Sequence, residues 1–552
     1  MAGISVMKPS ATVRGFLALA VGAAGLAAFA GSAPLPDSRK QVIYWGWDTL
    51  KATTEDVYRL RDRFAETGFT GIGMPITGFR EDGSSFRGRY PIDGDGGKRR
   101  WKPEDFERSA RLVREMVGTD GLRDSYAMVY LQSFDRRLPW TDDEGWEILS
   151  HNFAVLARLV RETGLKGMFV DHEDYTRKPL FTWCKDDPGY DEAVRLARRR
   201  GRELSAAIGR ADPKARIVFD RVLGQLREAL TSQTPTEVIR ARRDLWYPFL
   251  NGFVDGMPPE MVLVEGSEDT YRAMCNDDYR ARAYLSQYTG LQTLEPALRA
   301  KYCRQSRLAF AKFIDPYADA RPQDLAAFGE ALTAAGCWCD EMYWVYGEKH
   351  AVVDWGKPIA SGVTNVPWHV FMPGLADVLR VSGGDYSAVR ARLARGELER
   401  LTANPGCDSA DGRIPPDYHA GTDAKDAPKD THAYDAAVGC ANPGCLRLQH
   451  EKGYFTAQGG TVRPGDRLYF TYAYKGSEPV VDLAWKKDGG WKWYTEYQRL
   501  IHPVRTLPDG WKVCEVCLVV PKDINGFGIV LGARDVSPEK PCWFDDIGVW
   551  RW

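Results

Sequence analysis

The stretch KGMFVDHEDY, residues 166–175, runs from an apolar segment straight into Asp171, His172, Glu173 and Asp174. In an extended strand, residues two apart face the same way, so Asp171 and Glu173 point together. Two carboxyls held so close raise one another's pKa, and the neutral partner can serve as a general acid near neutral pH. Other apolar runs also end in acid: Asp48 follows QVIYWGW, Asp220 sits in ARIVFDRV, and Glu265, Glu268 and Asp269 follow MVLV. Asp315 and Glu348 close two more. Aromatic residues stand beside these acids, among them Trp45, Trp47, Tyr175, Tyr271, Trp344 and Tyr346. One carboxyl to protonate a leaving oxygen, a second as base or nucleophile, and rings to hold a sugar face are what cleavage of a glycosidic bond requires.

The expected catalytic set is Glu173 as general acid, Asp171 as its modulator and Glu268 as base or nucleophile. Trp47, Tyr175, Glu265, Tyr271, Trp344, Tyr346 and Glu348 are expected to line the substrate, with Glu265 and Glu348 as reserves for the second carboxylate. Each has a structural alternative. Carboxylates favour helix N-termini, so DHED, Glu265 and Glu268 could be capping groups. Glu348 could simply pair with Lys349, and one of Trp45 and Trp47 could fill the interior. His172 and His350 are isolated histidines without an HxH or HExxH pattern, so no metal is expected. Cys514 and Cys517 form a lone CxxC inside a strand-like run, which falls short of a zinc site. No GxSxG, no phosphate-binding loop and no Cys–His nucleophile context is present, and no cofactor is expected.

The elements that must position these acids follow a rhythm. Eight apolar runs, at 41–47, 68–76, 125–134, 164–170, 215–222, 260–266, 307–317 and 341–348, are each followed by room for a helix. Helical stripes recur between them, such as Trp146, Leu149, Phe153, Leu156 and Val160 ahead of Gly164. This is the pattern of a (β/α)₈ TIM barrel over residues 40–385, an α/β fold whose chemistry lies at the C-terminal ends of its strands. The fifth run is ambiguous, since VFDRVLGQLREAL also suits a helix. An open doubly wound sheet is the competing fold, but no strand precedes a Gly-rich phosphate fingerprint. Residues 386–440 are rich in Gly, Pro, Asp and Lys and are expected to form a linker or surface loop. From 441 to 552 the periodicity becomes two, with turn signals RPGD, DGG and PDG, which predicts an all-β sandwich.

Two resemblances follow from these residues. Asp171-His172-Glu173 at the end of the fourth run resembles the Asp-x-Glu of several barrel glycosidases, the chitinase type among them, in which the Glu is the acid. The upstream aspartates of that motif are replaced by Lys166 to Val170, so the resemblance implies an acid role for Glu173 and nothing about a substrate-assisted mechanism. The segments VRPGDRLYFTYAYKG, DGWKVCEVCLVVP and WFDDIGVWRW resemble the CenC-type carbohydrate-binding modules, which implies a jelly-roll that binds glycan. Trp485, Trp491, Trp493, Tyr494 and Tyr497 crowd one segment there and divide between core and sugar contact.

The bulk properties bound the rest. A chain of 552 residues exceeds one core, so at least two domains are expected. A net charge of −1 gives no electrostatic case for nucleic acid or an anionic membrane. Lys8 and Arg14 precede an uncharged Ala- and Gly-rich run at 16–30, and Ala28-Phe29-Ala30 fits a small-x-small cleavage site. Residues 1–33 therefore read as a signal peptide, and the mature chain as a secreted or periplasmic monomer with no membrane segment. The 11 cysteines leave at least one thiol unpaired or paired outside the chain. The sequence thus points to a secreted glycoside hydrolase acting on a polysaccharide or oligosaccharide. A non-catalytic glycan-binding protein on the same scaffold is the alternative, and a lyase or transglycosylase a weaker third.

Overall fold

A computed structural model describes residues 39–92, 99–131, 137–173, 179–317, 322–422, 425–492, 503–521 and 523–552. The signal-like segment, Asp174 and Tyr175 lie outside these described residues. Residues 39–552 belong to one compact unit.

Each of the eight apolar runs contributes parallel strand: β1 (Gln41–Gly46), β2 (Gly71–Met74), β3 (Tyr126–Tyr130), β4 (Met168–Asp171), β5 (Arg216–Phe219), β6 (Val262–Glu265), β7 (Ser306–Leu308), β8 (Phe310–Phe313) and β9 (Met342–Gly347). They form one nine-stranded, nearly closed barrel-like sheet in the order β8-β9-β1-β2-β3-β4-β5-β6-β7. Its edge strands β7 and β8 are consecutive in the chain, and the N–H of Ala309 between them donates to the Glu265 carbonyl at 2.8 Å. The ambiguous fifth run is strand only over Arg216–Phe219, and helix returns at Arg227–Thr231.

Alternation along each strand sorts its side chains. Ile43, Trp45, Met128, Phe169, Val218, Val264 and Trp344 share an inner cluster. Their neighbours Val42, Tyr44, Val129, Val170, Phe219 and Leu263 face the other way and pack with helix residues such as Phe153, Leu156 and Leu204. The helices needed here are α1 (Asp143–Thr163), α2 (Tyr190–Ala211) and α3 (Trp246–Gly256). The stripe predicted for α1 is buried, and Gly164 ends it with φ of 83°. Helices α2 and α3 cross with their backbones nearly in contact. A Cβ at Gly201 would overlap the Phe249 carbonyl, and one at Gly252 would overlap the Arg198 carbonyl. That close approach seats Trp246, the first residue of α3, against His172 beyond the end of β4, with ring centroids 3.9 Å apart.

The C-terminal portion holds two antiparallel sheets. One contains, in order, Cys445–Leu448, Cys542–Arg551, Arg467–Gly476 and Lys512–Val519, with His432–Asp435 and Pro503–Thr506 at its edges. The other runs through Tyr418–Thr422, Gly453–Thr461, Gly526–Ala533, Pro479–Lys487 and Gly490–Lys492. Leu446, Phe470 and Phe544 of the first pack with Phe455, Leu483 and Ile529 of the second in one core. Residues 386–440 are no free connector. Tyr418–Thr422 and His432–Asp435 are sheet strands, and Tyr386, Val389 and Leu398 pack on Tyr469 and Cys517. Trp485 is fully buried in the core, whereas Trp493, Tyr494 and Tyr497 lie outside the described residues. Cys514 and Cys517 are three apart on one strand and belong to cores on opposite faces, so they cannot converge on one ion.

Because the α2–α3 crossing leaves no room for a methyl group, Gly252→Ala is expected to destabilise the fold by about 1–3 kcal/mol, a typical overpacking cost. Denaturant unfolding followed by tryptophan fluorescence measures this.

Candidate functional site

Inward parity selects which strand-end acids can meet. Phe169 and Val218 face the interior, so Asp171 and Asp220, two residues on, point into the mouth at the C-terminal ends of β4 and β5. Both are buried, at 8% and 3% exposure. On β6 the inward residue is Val264, so Glu265 faces away. Glu268 enters by another route. Ser267 takes a left-handed conformation, φ 48° and ψ 48°, which turns the chain into a short helical turn at Glu268–Thr270. The Glu268 N–H then donates to the Asp220 carbonyl at 2.9 Å. A non-glycine residue in that region is uncommon and strained, a feature found often at functional sites.

Glu173, Asp220 and Glu268 each place a carboxylate oxygen within 4.8 Å of the other two. Arg221, the residue after Asp220, clamps the group. Its Nε and Nη2 donate to Glu268 Oε2 at 2.9 and 2.6 Å, and Nη2 also donates to Glu173 Oε1. The Glu173 N–H donates to Asp171 Oδ1 at 2.8 Å, which fixes the DHE segment. The Nδ1 of His172 lies against Asp220 Oδ1, while its Nε2 is 3.2 Å from Gln225 Oε1. Burial and the Arg221 charge push the imidazole down to about 3, so His172 is neutral. A neutral ring has one donor and one acceptor, so Nε2–H donates to Gln225 Oε1, while the His172 backbone N–H donates to Asp220 Oδ1 at 3.3 Å and Nδ1 is buried without a hydrogen bond of its own.

Burial, then repulsion from Asp220 and Glu268, pushes the Asp171 carboxyl well above the usual carboxylate range. Burial, then repulsion from Glu268, does the same to Asp220, whose side chain hydrogen-bonds Glu268. Two carboxyls whose acid forms are favoured thus lie beside two glutamates that share one guanidinium. The trio Glu173, Asp220 and Glu268 also offers hard oxygen ligands of the kind a divalent cation takes. Arg221 reaches two of the three, so a metal would have to compete with it.

The remaining expected residues divide. Tyr271 and Tyr346 stack at 5.7 Å with their planes 12° apart, and Tyr271 also hydrogen-bonds Glu268. Trp47 is partly exposed beside them in the inner cluster. Glu348 is exposed and accepts from the Tyr346 hydroxyl at 2.7 Å. Glu265 does not face the mouth. It is 2% exposed, and its carboxylate accepts the N–H groups of Val222 and Leu223 at 2.9 and 2.6 Å. Trp344 is likewise no substrate wall. It is 1% exposed within the inner cluster, and its indole N–H donates to the Gly266 carbonyl at 2.8 Å. Asp48 is also committed to the scaffold, accepting from Val352 N at 2.7 Å and Trp355 Nε1 at 2.9 Å. Tyr175 lies outside the described residues. Asp220 is legible in the sequence as a strand-end acid, whereas Arg221 belongs to no motif and only the fold brings it to the acids. Strand parity was the signal that would have promoted Asp220 over Glu265.

No protein-family model matches the chain, and no curated protein does. Among solved structures it is similar to the enzymatically active domain of tailspike protein 4 of bacteriophage CBA120, at 9% identity over 28% of this chain and 21% of that one, TM-score 0.21. It is similar to the module TmCBM61 in complex with β-1,4-galactotriose, at 11% identity over 28% of this chain and 99% of that one, TM-score 0.19. The arabinose-bound α-L-arabinofuranosidase MgGH51 matches at 13% identity over 28% of this chain and 27% of that one, TM-score 0.20. Likeness this slight carries no argument, and the site is interpreted from its geometry. Among the described residues no helix is long and apolar enough to cross a membrane.

Two outcomes follow. Asp171 and Asp220 keep protons in the native state that an unfolded chain releases near pH 4. Their stabilising contribution is therefore full below that pH and is lost as pH rises through the folded values. Asp220→Asn should flatten the fall in Tm between pH 5 and pH 8, as read by scanning fluorimetry at both. Arg221→Met leaves the glutamates facing each other without a cation. It should cost about 3 kcal/mol or more at pH 8 and less at pH 5, where a proton can replace the guanidinium; urea titrations at the two pH values test this.

Proposed function

We propose that this chain is a glycoside hydrolase whose active site is the acidic mouth of the barrel-like sheet. In this reading residues 40–385 are a (β/α)₈ catalytic barrel and residues 441–552, together with the strands Tyr418–Thr422 and His432–Asp435 that pair onto them, a jelly-roll carbohydrate-binding module. The mature protein is secreted or periplasmic after loss of residues 1–33. The observation that carries the reading is the convergence of Glu173, Asp220 and Glu268 from the ends of three adjacent parallel strands, within 4.8 Å, beside the stacked Tyr271 and Tyr346. The appended module would raise local substrate concentration by tethering.

The roles follow from where protons and charges sit. Glu173, ion-paired with Arg221 and partly exposed, attacks the anomeric carbon as the glycosidic C–O bond breaks. The leaving oxygen takes its proton from the Asp220–Glu268 pair, where burial and repulsion hold one. The same pair then takes a proton from the water that hydrolyses the glycosyl-enzyme. Asp171 keeps the DHE backbone in place through the Glu173 N–H. This exchanges the roles expected for Glu173 and Glu268, because the protonated carboxyl lies next to Glu268. Carboxylates about 5–5.5 Å apart act with retention, those about 6.5–9.5 Å apart with inversion, and the separation here favours retention.

One observation favours a second reading. Arg221 bridges Glu173 and Glu268, the two groups that must flank the scissile bond, and such a bridge also suits a purely structural network in a glycan-binding protein. A panel of polysaccharides separates the two. Hydrolysis predicts that Glu173→Gln and Glu268→Gln each lose at least about 10²–10⁴-fold in turnover while binding is kept, and that proton NMR shows the product anomer retained. A parent protein that binds glycan yet turns over none of the panel would instead establish the binder.

A further inference from the structure

The mouth is electrically two-sided. On its β1–β3 side, where Tyr130 of β3 pairs in register with Asp171 of β4, stand Lys51, Arg87 and Arg89, which feel one another's charge. Arg89 is 4% exposed, its guanidinium lies 4.9 Å from the Tyr90 ring and 5.8 Å from the Tyr130 ring, and its Nε is buried without a hydrogen-bond partner. Its carbonyl accepts from the Tyr130 N–H at 2.7 Å, which ties this segment to β3. Lys51 holds its ammonium 4.6 Å from the Trp47 ring, and is lowered by burial and by repulsion from Arg89 and Arg87. Among the described residues no carboxylate is ion-paired with any of the three, in a chain where most buried or half-buried arginines have one. The same mouth connects them to the acids, since Tyr130 feels both the Arg89 charge and those of Asp171 and Asp220.

Three cations without a carboxylate partner, each feeling the charge of the others, repel one another unless an anion joins them, and Arg89 keeps a buried Nε free to bind one while its side chain bonds Tyr90. Tyr90 and Tyr130 stack on each other at 5.3 Å and both carry the Arg89 guanidinium, while Trp47 carries Lys51, so the rings hold the cations in place beside the acids. We propose that Lys51, Arg87 and Arg89 form an anion subsite, and that the substrate is a glycan bearing a negatively charged group, a uronate carboxylate or a sulfate ester, on a sugar beside the scissile bond. The inference rests on the hydrolase reading only for the position of that bond; the anion preference itself is a binding property.

The test uses the full chain carrying Glu173→Gln, so that binding is read without turnover. Polygalacturonate, alginate and hyaluronan are compared by calorimetry with their carboxyl-reduced counterparts, and chondroitin sulfate and carrageenan with their desulfated ones. At least one charged member is expected to bind tenfold or more tighter than its neutralised pair, with affinity falling as salt is raised from 50 to 500 mM. Which pair shows the difference identifies carboxylate or sulfate. Adding Lys51→Gln or Arg87→Gln, both nearer solvent than Arg89, should each reduce the preference at least threefold; Arg89→Gln should abolish it if that variant folds. Equal binding of charged and neutral pairs, a preference that survives Lys51→Gln and Arg87→Gln together, or no binding to any member overturns the proposal. Turnover of neutral glycans by the parent with no charge preference would overturn the subsite and leave the hydrolase. A charge preference without turnover of any glycan would leave the subsite and remove the hydrolase.

Discussion

The site depends on one electrostatic constraint: several carboxyls from adjacent strands share a volume from which water is largely excluded. Two like charges 4.8 Å apart repel by about 3–4 kcal/mol at an effective dielectric constant of 20. That is a large part of the total stability of about 5–15 kcal/mol that folded domains possess. The cluster can exist only if charge is removed or matched. The chain does both: Asp171 and Asp220 are pushed toward their neutral forms, and Arg221 bridges Glu173 and Glu268. A carboxyl whose acid form is favoured in this way suits the proton-donating role proposed for the site.

The same residue type serves opposite ends a few ångströms away. Glu265 and Asp48 are as buried as Asp220, yet their oxygens are bound to backbone N–H groups, Val222 and Leu223 for one and Val352 for the other. Such acids hold loops in place. In Glu265 the bond reaches the segment that carries Asp220 and Arg221, so a structural carboxylate positions the clustered ones. His172 acts similarly. Stacked on Trp246 and neutral, it fixes one oxygen of Asp220 and leaves the other toward Glu268.

Much of the architecture was legible in sequence because its signals are local. Apolar runs marked the parallel strands, and stripes such as Trp146–Leu149–Phe153 marked helices. The acid-rich mouth was legible for the same reason, since strand ends are where such runs stop. What escaped depended on backbone geometry or on distance in sequence. The left-handed turn at Ser267, which carries Glu268 inward, has no glycine to announce it. Trp344 looked like a subsite residue because its type suits one, but its parity and its indole bond to Gly266 make it interior filling. Residues 386–440 read as a linker because their composition is that of turns, yet strands of about five residues there need only a neighbouring edge to pair with.

Under the proposed hydrolase reading, Arg221 can bridge the glutamates without blocking chemistry. A guanidinium held by two carboxylates is displaced only if something else answers those charges. An incoming sugar brings a developing positive charge at its anomeric carbon, which is the one ligand feature that Glu173 and Glu268 favour more in the transition state than in the ground state. Arg221, released from one glutamate, stays within reach of Asp220 at 4.0 Å. The clamp would then be a resting-state device that keeps the carboxylates aligned until substrate replaces it. The cost of breaking the clamp falls in the ground state and must be met by binding elsewhere, on the cations beside the acids. Under the proposed function, a glycan that engages only the acids lacks that binding, so the cationic side of the mouth would serve to displace Arg221 as well as to aid recognition.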